Sequence, residues 1–523
     1  MFVFRNNTIE RFFPQNCEFS GYDDVSFIPE DADGYVWFYQ PPIKFDNGLL
    51  ADEISAYLQK FRFVVDKIDT NKTVIAFTMD LIYSVPLVNG DFRVIEAIAQ
   101  YNLGLLAALN GHSNLKVLDI AEFTRQYPAN ELMDWKFYFL SQMGMNPRLA
   151  NEFKVWFAKK LDQIALKRKK CLVLDLDNTL WGGILGEDGI DGIKIGGDYP
   201  GKAFLYFREA LLELSKNGII LTICSKNNEQ DVLEVWEKNP FVVLKKAHFA
   251  AYRINWQDKA SNIKELAEEL NIGLDSFVFV DDNPTERELI KQMLPMVAVP
   301  NFPTQPYDLP LFFKSLVEDY FKVYSITDED RKKTEQYKAN ALRSESQKQF
   351  TDFEAFLKSL DIRLTIEGAN EFNLQRIAQM TQKTNQFNLT TKRYTDADIK
   401  VMLAEHWKVY CVSVADRFGD SGITGCVLVN GDEIDSFLLS CRILGKGIET
   451  AFLKRILQVL KAEGFMKIKA KYIPTAKNAQ VRDFYEDCGF DCVSETESGE
   501  KEYVADLGEM NLDIKDYYKI EMK

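Results

Sequence analysis

The sequence predicts a multidomain α/β protein, and three observations carry that prediction. Its 523 residues suffice for about three domains of ordinary size. Short apolar runs of strand length alternate with helical stretches through much of the chain. Three such runs, CLVL, GIILTIC and SFVFV, are followed directly by Asp175, Ser225 and Asp281. Strands separated by helices build a parallel sheet, and parallel sheets take ligands beyond the carboxyl ends of their strands. These three polar residues are therefore expected on one rim.

Composition narrows the function classes. Apolar residues at 46% and charged residues at 27% suit a globular protein able to bury a core. A formal charge of −15 argues against nucleic acid as a partner, since such binders present a basic face. No apolar run reaches membrane-spanning length and the first residues, MFVFRNNTIERFF, lack a signal peptide's apolar core, so no membrane contact and a cytoplasmic location are expected. Eight cysteines without CxxC spacing then read as reduced thiols rather than a disulfide frame. Only three histidines, His112, His248 and His406, are present, which disfavours a zinc site or a histidine-based triad.

Taken in order, residues 1–165 read as an α/β layer domain. TVIAFTM and LKVLDI are strand-like, and DFRVIEAIAQYNLGLLAAL is helical. A second α/β unit is expected at 166–310, a linker at 311–329 and a last domain at 330–523. In the second unit Phe204, Phe207, Leu211 and Leu214 keep one helical face, and so do Ile263, Leu266, Ala267 and Leu270, with Gly273 as the expected stop. The polar stretch DEDRKKTEQYKANALRSESQKQF reads as a helical connector. Between Thr179 and Ser225, and again between Lys226 and Asp258, the chain is too short for a large lid domain.

The rim residues suit phosphate chemistry. Asp175, Asp177, Asp281 and Asp282 could gather up to four negative charges, and such clusters bind a hard cation such as Mg²⁺. One carboxylate held ionised in this way can attack phosphorus, and a second two residues on can move a proton. Ser225 offers a hydroxyl to a phosphoryl oxygen, and Lys259 a positive charge at a helix start. No G-x-x-x-x-G-K-[ST] loop is present, which excludes P-loop chemistry.

DLDNT, CSKNN, DKASN and VDDNP, in this order, resemble the four motifs of the haloacid dehalogenase (HAD) phosphatases. That resemblance implies Asp175 as nucleophile, Asp177 as general acid/base, and Ser225 and Lys259 as stabilisers of the transferring phosphoryl group. It also implies a metal on Asp175, the backbone carbonyl of Asp177 and Asp281, with Asp282 supporting the metal or orienting Lys259. DLDNTLWGGILGEDG, FAAYRINWQDKASNIKELAEELNIGLDSFVFVDDNPTERE and KTNQFNLTTKRY are similar to the FkbH-like subfamily, and one departure from its pattern is KKAHFAAYRINW, where an acidic residue near His248 and a tryptophan at Tyr252 are expected. Membership would imply removal of phosphate from 1,3-bisphosphoglycerate and loading of glyceryl onto an acyl carrier protein. Cys224 could hold an acyl group or simply fill the strand core.

Toward the C-terminus, Arg442-x-x-Gly445-x-Gly447 precedes a strongly helical stretch, where backbone amides can approach a phosphate. With Asn478, Tyr485 and Gly489 it resembles a GNAT acyltransferase, an α+β fold. The resemblance implies that Arg442, Gly445, Gly447 and Asn478 meet coenzyme A or a carrier's phosphopantetheine, and that Tyr485 protonates a leaving thiolate. Tyr485 could equally be a core aromatic, and DRFGDSGITG could shape an acyl site or form a hairpin. The first domain is similar to an SGNH-hydrolase layer but lacks its Gly-Asp-Ser opening and a histidine after Asp134, so a non-catalytic docking or capping role is expected. A plain phosphatase with a structural C-terminal domain and a non-enzymatic scaffold are the rival readings.

Overall fold

In the computed structural model all residues are described except 83–90, 327–330, 332–335, 338, 340–345, 347–349, 351 and 441–442. The chain divides into two compact units, Met1–Ala165 with Thr395–Val401, and Leu166–Tyr394 with Met402–Lys523. The predicted α/β class holds, with two parallel sheets and one mixed sheet.

The first unit is built on β1 (Phe2–Arg5), β2 (Glu18–Tyr22), β3 (Gly34–Phe38), β4 (Thr73–Phe77) and β5 (Leu115–Leu118), in the order β2-β1-β3-β4-β5. Every pairing is parallel. The continuously apolar β3 is buried on both faces, as a central parallel strand must be. At the carboxyl rim several polar side chains bond to the neighbouring loops. Gln40 donates to the Thr78 carbonyl at 3.1 Å, Asn6 to the Gln40 carbonyl at 2.7 Å, and Thr78 to Asp119 at 2.9 Å.

In the second unit β6 (Cys171–Leu174), β7 (Ile220–Ser225), β8 (Ala251–Ile254) and β9 (Phe277–Val280) form an all-parallel sheet ordered β8-β7-β6-β9. The four residues of β6 are at 0% exposure, so the carboxylates that follow them leave an apolar floor. Phe204, Phe207, Leu211 and Leu214 are buried on one helix, and Ile263, Leu266, Ala267 and Leu270 on another. That second helix stops earlier than Gly273. Asn271 takes the left-handed conformation (φ 51°) and caps it, a position Asn tolerates without a glycine.

The expected linker at 311–329 contributes two residues to the core. Leu309, Leu316 and Phe321 are buried in the same cluster as β6, because the helix Leu309–Leu316 packs on the helix Gly201–Lys216, with Phe312 and Phe313 against Phe207. Most of DEDRKKTEQYKANALRSESQKQF lies outside the described residues; of those described, Tyr337 packs into a core cluster with β9, and Gln336 donates to the Ser421 carbonyl at 3.1 Å.

The C-terminal sheet contains β10 (Arg363–Gly368), β11 (Phe387–Asn388), β12 (Lys408–Asp416), β13 (Gly419–Asn430), β14 (Glu433–Leu439), β15 (Lys467–Tyr472), β16 (Asp491–Glu495), β17 (Lys501–Asp506) and β18 (Lys519–Met522). Their order is β16-β17-β15-β14-β13-β12-β10-β18, with β11 on β14. DRFGDSGITG forms the β12–β13 turn and the start of β13. Pairing is antiparallel except between β14 and β15 and between β10 and β18. The helix Ile448–Ala462 buries Phe452, Ile456 and Leu460 against this sheet. Among the described residues no helix is long and apolar enough to cross a membrane.

Candidate active site

Because β6, β7 and β9 are parallel neighbours in register, their carboxyl ends coincide. The Asp175 amide donates to the Val280 carbonyl at 3.0 Å, which ties the first turn beyond β6 to the end of β9. Asp175, Asp281 and Asp282 each offer an oxygen, and these oxygens lie within 4.8 Å of one another. Lys259, the first residue of its helix, sends a buried ammonium to Asp175 at 2.9 Å and to Asp281 at 2.6 Å. It pairs with these two rather than with Asp282.

Burial and mutual repulsion govern the ionisation of this group. Burial first and the Asp175 charge second push Asp281 up to about 6, against the pull of Lys259 and the Asn283 amide. The same two causes raise Asp282 to about 6. Burial alone would depress Lys259, but Asp175 and Asp281 outweigh it and hold the ammonium above its usual range.

The donor set fits a hard divalent cation. It is all oxygen and largely buried, and its three carboxylates share the single ammonium of Lys259. A cation there would lower the repulsion among the carboxylates.

Asp177 turns its carboxylate elsewhere. Oδ1 accepts from Trp181 Nε1 at 2.9 Å and the Leu185 amide at 3.1 Å, and Oδ2 accepts from Asn227 Nδ2 at 3.0 Å. As a carboxylate metal ligand it therefore does not join the cluster, since its side chain is committed to these three donors. Burial raises its pKa and the donors pull it back. Asn227 also donates to Ser225 Oγ at 3.2 Å, so one amide links the end of β7 to the loop after β6. Asn227 and Trp181 lie inside CSKNN and LDNTLWGG, yet their spacing alone does not reveal that they meet Asp177. Thr179, fully buried, accepts from the Asp282 amide at 3.1 Å, and Arg287 donates to the Asp281 and Asp282 carbonyls at 2.7 and 2.6 Å. These residues hold the two acidic loops in place.

Residues 170–341 match the model of the NLI interacting factor-like phosphatases. The N-terminal part of a Bacteroides fragilis protein, containing a phosphatase domain and complexed with Mg, is 27% identical over 62% of this chain and 94% of that chain, with a TM-score of 0.52. The chain contains a HAD-like phosphatase domain. An N-acetyltransferase from Staphylococcus aureus is 17% identical over 28% of this chain and 98% of that one, with a TM-score of 0.23. The Vibrio cholerae spermidine N-acetyltransferase in complex with CoA and spermine is 14% identical over 28% and 96%, with a TM-score of 0.22. Among curated proteins nothing matches.

Among the described C-terminal candidates, Asn478 and Tyr485 both face inward. Asn478 is at 0% exposure and spends its side chain inside the chain. It donates to the Asn388 and Ile473 carbonyls at 3.0 and 2.9 Å and accepts from the Thr475 amide at 2.7 Å. No donor is left for a cofactor, so it is a structural residue. Tyr485 is 1% exposed, its ring 4.9 Å from that of Phe490 and 5.4 Å from that of Tyr503. Burial pushes its hydroxyl far above the ordinary phenol range, which suits a core aromatic rather than an acid for a thiolate. Arg442 lies outside the described residues. Cys224, fully buried, is pushed up to about 12 by burial and fills the sheet core as a thiol.

Proposed function

We propose that the central domain is a Mg²⁺-dependent phosphatase working through an aspartyl-phosphate on Asp175, and that its substrate is 1,3-bisphosphoglycerate, whose C3 phosphate passes to Asp175 while its C1 acyl group passes to the thiol of an acyl carrier protein, displacing inorganic phosphate, so that a glyceryl unit is loaded. The cluster of Asp175, Asp281 and Asp282 around Lys259 is the observation that carries the phosphatase reading. The Mg-complexed relative supports the choice of ion. The FkbH-like motifs alone support the acyl phosphate and the carrier.

In this reading Asp175, Asp281 and Asp282 hold the cation, which when bound screens the phosphoryl charge from the carboxylates. The Asp175 carboxylate attacks phosphorus, and Lys259 and Ser225 hold the non-bridging oxygens. Asp177 gives a proton to the leaving oxygen and later takes one from the water that cleaves the aspartyl-phosphate. The Asn227 amide positions Asp177 and Ser225 together. Asn227→Ala is expected to lower kcat by about 10- to 100-fold with the fold intact, read by phosphate release and circular dichroism. An unchanged kcat would remove Asn227 from the mechanism.

The deciding experiment incubates the full chain with Mg²⁺, 1,3-bisphosphoglycerate and carrier proteins, and reads both phosphate release and carrier mass. Phosphate release abolished by EDTA and restored by Mg²⁺, with a glyceryl increment on a carrier, is the expected result. Release without the increment leaves the second reading, a plain phosphatase with a structural C-terminal domain, which the burial of Asn478 and Tyr485 favours. For the first domain we propose a non-catalytic docking or capping role, in keeping with Asn6, Gln40 and Thr78 at its rim, each spent on a hydrogen bond within the domain.

A further inference from the structure

The C-terminal sheet contains a groove of the kind an extended cofactor arm would enter, and the chain itself fills it. β14 and β15 pair in parallel only through Glu433 with Lys469 and Ile434 with Ala470. Beyond those residues the strands part company. Diverging strands leave amides and carbonyls that need partners, and an amide-bearing arm such as pantetheine could supply them. A phosphate at the other end of such an arm would meet the glycine loop that follows β14 and opens the helix Ile448–Ala462.

Here the partners come from β11 and the residues after it. Phe387 stands opposite Leu439 and Asn388 opposite Leu438 on β14. The Leu389 amide donates to the Phe437 carbonyl at 3.2 Å, and the Ile473 amide, just past β15, donates to the Leu389 carbonyl at 2.8 Å. One residue thus bridges both strands where they have separated. Asn478 fastens the same segment through the Asn388 carbonyl at 3.0 Å.

A buried carboxylate anchors the far end. Asp435, 7% exposed, accepts from Tyr394 Oη at 2.7 Å and from Lys392 Nζ at 2.5 Å. Its carbonyl accepts from Thr390 Oγ1 at 3.0 Å. Cutting this anchor would free the segment without touching the phosphatase rim.

The phosphate end is obstructed as well. Gly447 caps the helix at φ 68°, and a Cβ on it would lie 2.5 Å from Tyr518 Oη. That hydroxyl donates to the Lys446 carbonyl at 2.6 Å, which places the C-terminal segment over the loop. Glu449, in the first turn, already brings a carboxylate to the positive end of the helix. Burial raises its pKa, and the amides of Gly445 and Gly447 draw it down. A pyrophosphate at Gly447 would meet that carboxylate and the tyrosine, so the described part of the loop does not suit coenzyme A.

We propose that residues 387–391 are a built-in occupant of this groove, taking the place of a pantetheine arm, so that the C-terminal domain accepts neither coenzyme A nor a carrier's arm there. The inference rests on the sheet alone and holds whether or not the proposed function does. If a carrier is loaded, its thiol meets the acyl group outside this groove.

Hydrogen exchange on the full-length protein without ligand tests it. Amides of Leu389 and Ile473 are expected to exchange at least about 100-fold more slowly than in unstructured chain. Coenzyme A or acetyl-coenzyme A at about 1 mM should give no calorimetric heat and no change in that protection. Asp435→Ala should speed exchange at Leu389 by about tenfold or more while leaving phosphate release as in the wild type. Rapid exchange of both amides in the wild type would overturn the proposal, as would coenzyme A binding tighter than about 100 μM. Unaltered exchange at Leu389 in Asp435→Ala would overturn the role given to the anchor. Loss of phosphate release in the wild type, by contrast, would sink only the phosphatase reading.

Discussion

Asp175→Asn is expected to lower phosphate release by at least about 10³-fold while leaving the fold intact. A carboxamide has the shape of the carboxylate but cannot form an acyl phosphate with the substrate. The variant keeps the Asp175 backbone amide on Val280 and leaves Lys259 its second partner, Asp281. It also removes one negative charge from a crowded buried group, so no loss of stability is expected without a divalent cation. Hydrolysis of p-nitrophenyl phosphate, with circular dichroism as the control for folding, measures both. Activity within tenfold of the wild type would show that Asp175 is not the nucleophile.

Lys259→Ala should be costly twice over. The ammonium is 3% exposed and is the positive partner of both Asp175 and Asp281. Removing it leaves buried carboxylates without a counter-charge, a change that typically costs about 3–5 kcal/mol. It also removes the charge that would face the phosphoryl oxygens, for a further loss of about 10²–10³ in kcat. The destabilisation should be largest in EDTA and partly recovered by Mg²⁺, because a cation bound to the same carboxylates replaces some of the missing charge. Urea unfolding with and without Mg²⁺ reads this directly. A variant as stable as the wild type in EDTA and active within threefold would refute the electrostatic account of the rim. Lys259→Arg is no simple rescue, since a forked guanidinium does not fit where a single point charge touches two carboxylates.

The central sheet was legible because its information is local. CLVL and SFVFV are continuous apolar runs of strand length, and the acids that follow them stand one residue past the strand ends. Parallel pairing then requires those ends to share a rim. Helix faces were legible for the same reason, as with Phe204, Phe207, Leu211 and Leu214, which recur at helical spacing and are buried. The stretch at 311–329 misled because a helix packed on another helix and a helical connector have the same periodicity. Only packing shows that Leu316 and Phe321 are core.

By itself, then, the sequence determined the parallel sheet and a rim that gathers Asp175 and Asp281, which follow from strand ends, whereas the placing of Lys259 between those two rather than beside Asp282 came from the fold. Tertiary structure alone decided the partners of Asp177, since Asn227 reaches it from 50 positions away. It likewise decided that Tyr485 and Asn478 face inward and that Leu389 joins two strands which come apart. Glycines before a helix and a tyrosine after it read the same whether the groove between them is open or filled. What fills it is a hydrogen-bonding match between distant segments, and no local period records such a match.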